Sequence, residues 1–499
     1  FYFVTTNSIT APSRMWRLRF NNVERPEAGG TITAVLDGTE GQKMLDNMCI
    51  DATGDILLQE DVGNNVHNGK IWQYTIATDS LKLLAQHDST RFIAGGSQYL
   101  TQDEESSGII DAQSILGPGM FLLVDQAHYS ITGEAVEGGQ ILTMFNPDSY
   151  NGTLGAGPSS SQSPYVTPIA QGVKFSSIVS VPDAVAGGYR MAGIPDGTGA
   201  FDNNDGTFTL LVNHEISAGL GAVRAHGQNG AFISRWVIDK SSLAVRSASD
   251  LIRNVNIWNG TGYTTYNAQN PSTLAQFSRF CSADLASPVA FYNAVTGLGT
   301  QERLFLNGEE VGDNGRTFAH IVTGVNMGTS YQLPMLGRFS AENQVARPVR
   351  SDKTVVVGMD DSTPGQVYVY IGTKTNTGTE IDKAGLTNGK LYGVSVSGMS
   401  LETSASIPSP NTAFTLVDLG NVRDSSGAAL NALSNARGVT NFLRPEDGAW
   451  DPANPRDFYF VTTNSITAPS RMWRLRFNNV ERPEAGGTIT AVLDGTEGQ

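Results

Sequence analysis

One stretch of this chain occurs twice. FYFVTTNSITAPSRMWRLRFNNVERPEAGGTITAVLDGTEGQ fills residues 1–42 and returns letter for letter at 458–499. Repeats inside an ordinary solenoid or propeller drift apart in sequence, so identity over 42 residues is a different kind of constraint. The stretch reads as three strands: FYFVTTNS, then MWRLRF with near-alternating apolar positions, then TITAVL before a DG turn. That is one β-meander, or most of a propeller blade. A ring closed by one copy has no vacant place for the second. Three readings stay open: a window on a tandem array, a unit whose spare meander pairs with a neighbour in a head-to-tail polymer, or a copy adventitious to the native fold.

Even without the second copy the chain exceeds ordinary single-domain length, which favours several domains unless the fold grows by repetition. A β-propeller does so, blade by blade. The 55 glycines, a charged fraction of only 16% and many short Val/Ile/Tyr/Phe/Thr runs predict an all-β chain, a propeller with short helical or irregular insertions. The net charge of −15 argues against nucleic acid or an anionic membrane as partner, since both attract basic patches. Surplus carboxylates suit hard cations such as calcium. Two cysteines, Cys49 and Cys281, make no disulfide framework. No run reaches the roughly 18 apolar residues that a membrane helix needs.

Along the chain one grammar recurs: an apolar strand that ends in acids. Asp46 precedes a strand–turn–strand unit that ends in Glu60 and Asp61, and TFTLLV delivers Asn213, His214 and Glu215. RLFLN leads to Glu309 and Glu310, TVVVGM to Asp360 and Asp361, and NFLRPED places Arg444 and Glu446 before the repeat. In a propeller, each blade's innermost strand can end at the central channel, so acids far apart in sequence converge there. Residues 101–113, TQDEESSGIIDAQ, read as an acidic loop, and 146–168 as a Gly/Ser/Pro linker. Cys49, inside an apolar strand, reads as core. His214 and His226 read as structural or exposed, with His226 also a weak candidate for substrate contact, and Arg338 reads as the holder of a buried carboxylate.

Together, LLVNHEI, the Cys281 segment, LNGEEVG, LGRFSAE, GMDD, RPEDGAWDPANP and DNMCIDATGDILLQED resemble the PhoX-type alkaline phosphatases. These are secreted bacterial enzymes on a six-bladed propeller. The resemblance implies a single propeller over 1–499 in permuted order. Residues 1–150 would be the C-terminal part of the family order, 151–163 the linker, and 164–499 the N-terminal part running into the repeat. It implies two irons and calcium, with Cys281, Glu342 and Glu446 ligating iron. Glu215, Glu309 and Glu310 would be calcium ligands or their supports, with Asp46 or Asp61 as a further carboxylate. Arg444 would clamp the phosphate, and with Cys281 is the catalytic candidate. Two positions depart from the family pattern: Gly308 stands where a cysteine is usual, and Ala341 where a histidine is.

These readings predict a metal-dependent phosphoester hydrolase acting outside the cytoplasm, at a bacterial surface or in the periplasm. Its partner would be a small phosphoester, with no nucleic acid and no membrane segment. The alternative is a calcium-stabilised structural or adhesive propeller that self-associates through the duplicated meander.

Overall fold

Short strands, some alternating and some buried along their whole length, fold the chain into mostly antiparallel meanders. The structure, a computed structural model, describes all residues except 52, 133–135, 151–154, 168, 170–174, 186, 405, 406, 466, 467, 469 and 497–499. Parts of the expected linker, 151–154 and 168, therefore lie outside the described residues. The chain is all-β, with blade-like sheets of the propeller kind. No described helix is long and apolar enough to cross a membrane.

The chain divides into two compact units. The first holds residues 1–157 and 162–177. Its larger sheets are Tyr2–Thr5 with Arg14–Phe20 and Gly30–Leu36, the four strands from Leu45–Ile50 to Ser80–Gln86, and Glu104–Asp111 with Met120–Ser130 and Glu137–Phe145. The acidic run at 101–113 is thus mostly a strand rather than a loop. Glu104 is fully buried and accepts from the Gly69 amide at 3.0 Å. Cys49 packs at the edge of the apolar cluster around Leu57, Phe121 and Leu123, and burial pushes its thiol up to about 12.

The second unit holds residues 158–161 and 178–499. A four-stranded sheet runs from Pro195–Asp202 to Val245–Asp250, and a six-stranded sheet carries Phe280–Leu285 at one edge. A ten-stranded sheet joins two blades edge to edge, where Thr412–Gly420 pairs with Gly487–Leu493. Val355, Val357, Val367 and Val369 pack there against Phe414, Phe442, Trp450 and Trp473.

Five meanders open alike. In the strands that start at Leu45, Pro195, Phe280, Ala341 and Pro445, the first ladder pair is followed at once by a shift of register. One extra residue on the first strand makes a bulge, which breaks the alternation and re-aims the next side chain. That next residue is Asp46, Asp196, Cys281, Glu342 or Glu446.

Both copies of the repeated stretch fold into the same meander in the same register: Trp16 lies opposite Ala34, as Trp473 lies opposite Ala491. Only the second copy is completed, by Pro445–Trp450 on one side and Thr412–Gly420 on the other. There Arg471 pairs with Glu402 at 2.8 Å, both side chains fully buried. In the first copy the equivalent Arg14 makes its bond to the Asp37 carbonyl in an exposed setting. Breaking a buried pair strands a charge at about 3–5 kcal/mol, so Arg471→Ala should destabilise the second unit by that amount. Arg14→Ala should shift the first unit by no more than about 0.5 kcal/mol. Denaturant midpoints of the two variants check this.

Candidate metal centre

The bulges decide which side chains meet. Asp196, Glu215 and Cys281 offer ligand atoms within 4.8 Å of one another; so do Cys281, Glu310 and Glu342, and so do Glu342, Asp361 and Glu446. The three groups share members and form one chain of donors. Asp196, Cys281, Glu342 and Glu446 are bulge residues. Glu215, Glu310 and Asp361 each stand one residue past the partner strand's ladder pair at His214, Glu309 and Asp360. Each of three sheets thus contributes two donors by one rule, and the last contributes Glu446.

Two arginines bind the acids from equivalent places. Arg279 precedes Phe280 and Arg444 precedes Pro445, both with left-handed backbone, φ 49° and φ 60°. Non-glycine residues adopt this conformation at a cost of order 1 kcal/mol, and it clusters at functional sites. Arg279 reaches Glu215 at 2.8 Å and also pairs with Glu310. Arg444 grips Asp361 with both prongs, at 2.8 and 2.7 Å, and touches Glu446 at 2.8 Å. Their side chains remain 40% and 36% exposed.

Six carboxylates and a thiol against two guanidinium groups leave the site short of positive charge. Burial pushes the Glu342 carboxyl up to about 7, and Glu446 and Asp196 add to it. Burial likewise raises Glu215 and Glu446. The Cys281 thiol is raised strongly, by burial first and then by Glu342. The hydrogen bond to Asp361 holds Arg444 charged well above its usual range. Cys281 Sγ lies 3.4 Å from Asp196 Oδ2 and 3.7 Å from Glu310 Oε2. Ser282 Oγ donates to Glu342 at 2.8 Å.

A buried polar relay positions the thiol's backbone. Asn213 donates to the Cys281 carbonyl at 2.6 Å, Asn307 donates to Asn213 at 3.1 Å, and His320 joins Asn307 to Ser330. Gly197 fits against this backbone because a Cβ there would strike Ser282 and Ala283. The donor set suits cations: clustered carboxylate oxygens take hard ions, a thiolate adds affinity for a softer one, and a bound ion would offset the negative charge gathered there.

Of the residues singled out in the sequence, Cys281, Glu342, Glu446, Glu215, Glu310 and Arg444 meet here. Others do not. Glu309 points away and gives both oxygens to Arg316, at 2.6 and 2.7 Å. Adjacent residues in a strand face opposite sides, so one of the pair had to leave the site. His226 is a correction too: it is 1% exposed and packs 5.2 Å from the Phe277 ring. Burial lowers it to about 4, so it offers substrate neither surface nor charge. Arg338 makes no ion pair among the described residues, and burial and Arg316 lower its pKa. His214 is structural, bonded to Gly193 O and Ser234 Oγ. Asp46 and Asp61 belong to the first unit, where they hold the bulge and post-strand positions of their own sheet.

Sequence reading missed Asp196, Asp361 and Arg279 as site residues. Asp361 followed the rule of an acid after a strand. Asp196 and Arg279 carried a signal only by comparison: Pro195-Asp196 echoes Pro445-Glu446, and Arg279 stands where Arg444 does. The two family departures are one event in space, since a Cβ on Gly308 would collide with that of Ala341.

Residues 325–497 match the family described as alkaline phosphatase PhoX, so the resemblance read from the motifs holds over that segment. It includes Glu342, Asp361, Arg444 and Glu446; the other donors and Arg279 lie outside it. No curated protein matches. Among solved structures, Pseudomonas fluorescens PhoX in complex with vanadate is similar at 12% identity and TM-score 0.39, over 60% of this chain and 66% of that one. The chain thus spans just under two thirds of that protein's length. The β-propeller domain of the trilobed protease from Pyrococcus furiosus is similar at 8% identity and TM-score 0.19, over 95% and 90%. A putative oxidoreductase from a Thermus species gives 10% and 0.25, over 89% and 94%. At such TM-scores none of the three carries an inference about this chain.

Burial of carboxyl groups sets a pH dependence. Asp284 and Asp360, like Glu342, are pushed up to about 7 by burial, from ordinary values of 3.8 and 4.5. Between those values and about 7 the folded protein holds protons that the unfolded chain has released. Stability is therefore lost as pH rises through that window. Melting temperature in chelator should fall from about pH 5 to pH 7.5, and saturating calcium should remove only the share of the fall that Glu342 contributes; a chelated protein that melts higher at pH 7.5 contradicts this.

Proposed function

With residues 325–497 of PhoX type, we propose that this protein is a metal-dependent phosphoester hydrolase, similar to alkaline phosphatases and acting outside the cytoplasm. The observation that carries the reading is the convergence of Asp196, Glu215, Cys281, Glu310, Glu342, Asp361 and Glu446 with two arginines at one place. Cys281, Glu342 and Glu446 would hold iron, and Asp196, Glu215, Glu310 and Asp361 would complete that set or hold calcium. Bound cations in such a site overwrite its negative charge, polarise phosphoryl oxygens and lower the pKa of water. Arg444 and Arg279 carry the planar N–H forks that can grip a phosphoryl group by paired hydrogen bonds. Their carboxylate partners hold those forks in place before substrate arrives, which lowers the ordering cost of binding. The extracytoplasmic setting and the choice of iron and calcium rest on the family resemblance.

A second reading, a calcium-stabilised structural or adhesive propeller, draws on the exact duplication, both copies of which fold. Hydrolysis of an aryl phosphate by metal-loaded protein separates the two. In the hydrolase, Cys281→Ala should lose iron and turnover while keeping its fold. Arg444→Ala should keep its metals and bind inorganic phosphate more weakly by about 1.5–3 kcal/mol. Metal analysis, activity and phosphate titration of the two variants test this; a Cys281→Ala protein with full activity overturns it.

A further inference from the structure

Two meanders of the first unit, from Leu45–Ile50 to Ser80–Gln86 and from Glu104–Asp111 to Glu137–Phe145, enclose a cavity together with the segment that joins them. No residue of the metal centre lines it. Its floor is a polar row. Asp125 pairs in register with Ser106 on one side and with Gln140 on the other, and cross-strand partners share a face about 5 Å apart. All three residues line the cavity. The next row is apolar, Leu123 opposite Leu142, and Ile71 and Phe92 add apolar lining from other elements.

Ser106 is the member of the row that the fold does not use. It is 3% exposed, and its hydroxyl has no hydrogen-bond partner among the described residues. A buried hydroxyl left without a partner is costly, so its place on the floor marks where a polar group of a ligand would sit. Ser106, His87 and Asp125 are the residue types of a nucleophilic triad, but their geometry is not that of one. His87 Nε2 lies 2.7 Å from Asp125 Oδ2 and Nδ1 lies 2.8 Å from the Gly69 carbonyl oxygen, so no ring nitrogen is left to take a proton from the serine. Burial opposes protonation of His87, but the bonds to Asp125 and Gly69 outweigh it and raise its pKa. An imidazolium that donates from both nitrogens fits this setting, with Asp125 as its counter-ion.

The charges around the cavity are therefore already matched: His87 with Asp125, and Arg91 with Asp88 at 3.4 Å. Nothing there calls for a charged ligand. The cavity offers neutral hydrogen bonding from Ser106 and Gln140, the second oxygen of Asp125 as an acceptor, and apolar contact from Phe92, Ile71 and Leu123. That combination suits a ring with hydroxyls along its edge and C–H groups on its faces. At about 320 Å³ the cavity is at the small end of ligand pockets, with room for one such ring rather than a chain of them. We propose that it binds an uncharged polyhydroxylated compound the size of one sugar ring, with hydroxyls on Ser106, Asp125 and Gln140.

Titration of the full chain with glucose, galactose, mannose and N-acetylglucosamine, followed by ligand-observed NMR and calorimetry, tests this. At least one of the four should bind saturably. Ser106→Ala and Gln140→Leu should each weaken that binding by about two- to tenfold, the worth of one hydrogen bond. Gln140 is exposed and the Ser106 hydroxyl makes no bond within the fold, so both variants should keep the melting temperature of the unchanged chain. Inorganic phosphate, the probe for the arginines of the second unit, should not displace the sugar. Absence of saturable binding by all four, affinity indifferent to both substitutions, or displacement by phosphate each overturns the proposal.

Discussion

Like charge held at close quarters is the constraint around which the second unit is arranged. Six carboxylates converge within a few ångströms of a thiol, and only two guanidinium groups oppose them. Unopposed, such a crowd would spread or neutralise itself by binding protons. It is held because the bulges and post-strand positions belong to sheets whose cores are dry: Leu304, Phe305 and Leu306 beneath one donor pair, Val355, Val356 and Val357 beneath another. The free energy of burying those strands keeps the acids together. Burial first, and neighbouring charge after it, raises the Glu342 carboxyl and the Cys281 thiol, and a bound cation would offset that cost.

The arginines are part of that balance. Each sits at the entry of a first strand in left-handed backbone, as Met44 and Ile194 do in their own meanders, and bonds the acids from there. The same position in two blades gives two forks around one donor chain. This repetition is what a fold built from similar meanders offers: a local device, the bulge with its preceding residue, is reused, and different side chains placed in it yield ligands or clamps.

The duplicated meander separates what a sequence prescribes from what its neighbours decide. Strands, turns and register are the same in both copies, because alternation and local turn chemistry set them. Burial is not. Trp473 and Phe477 lie in a core, whereas Phe20 faces solvent, because only the second copy adjoins Pro445–Trp450 and Thr412–Gly420. The ion pair of Arg471 with Glu402 exists for the same reason.

The sequence by itself determined the all-β class, the strands, and the habit of ending them in acids; periodicity and turn residues are local properties, and they act within a few residues. Through its motifs it also determined the resemblance that holds over 325–497. It left open which of two adjacent acids would face the site. Tertiary structure chose Glu310 over Glu309, because Arg316 stood on the other side. It recruited Asp196 and Arg279, whose places show only when Pro195 and Phe280 are seen at the same register as Pro445. It put His226 inside the fold, since whether a lone histidine is lining or core depends on what packs over it. Convergence is a property of register and packing between distant strands, and no residue carries that information in its own neighbourhood.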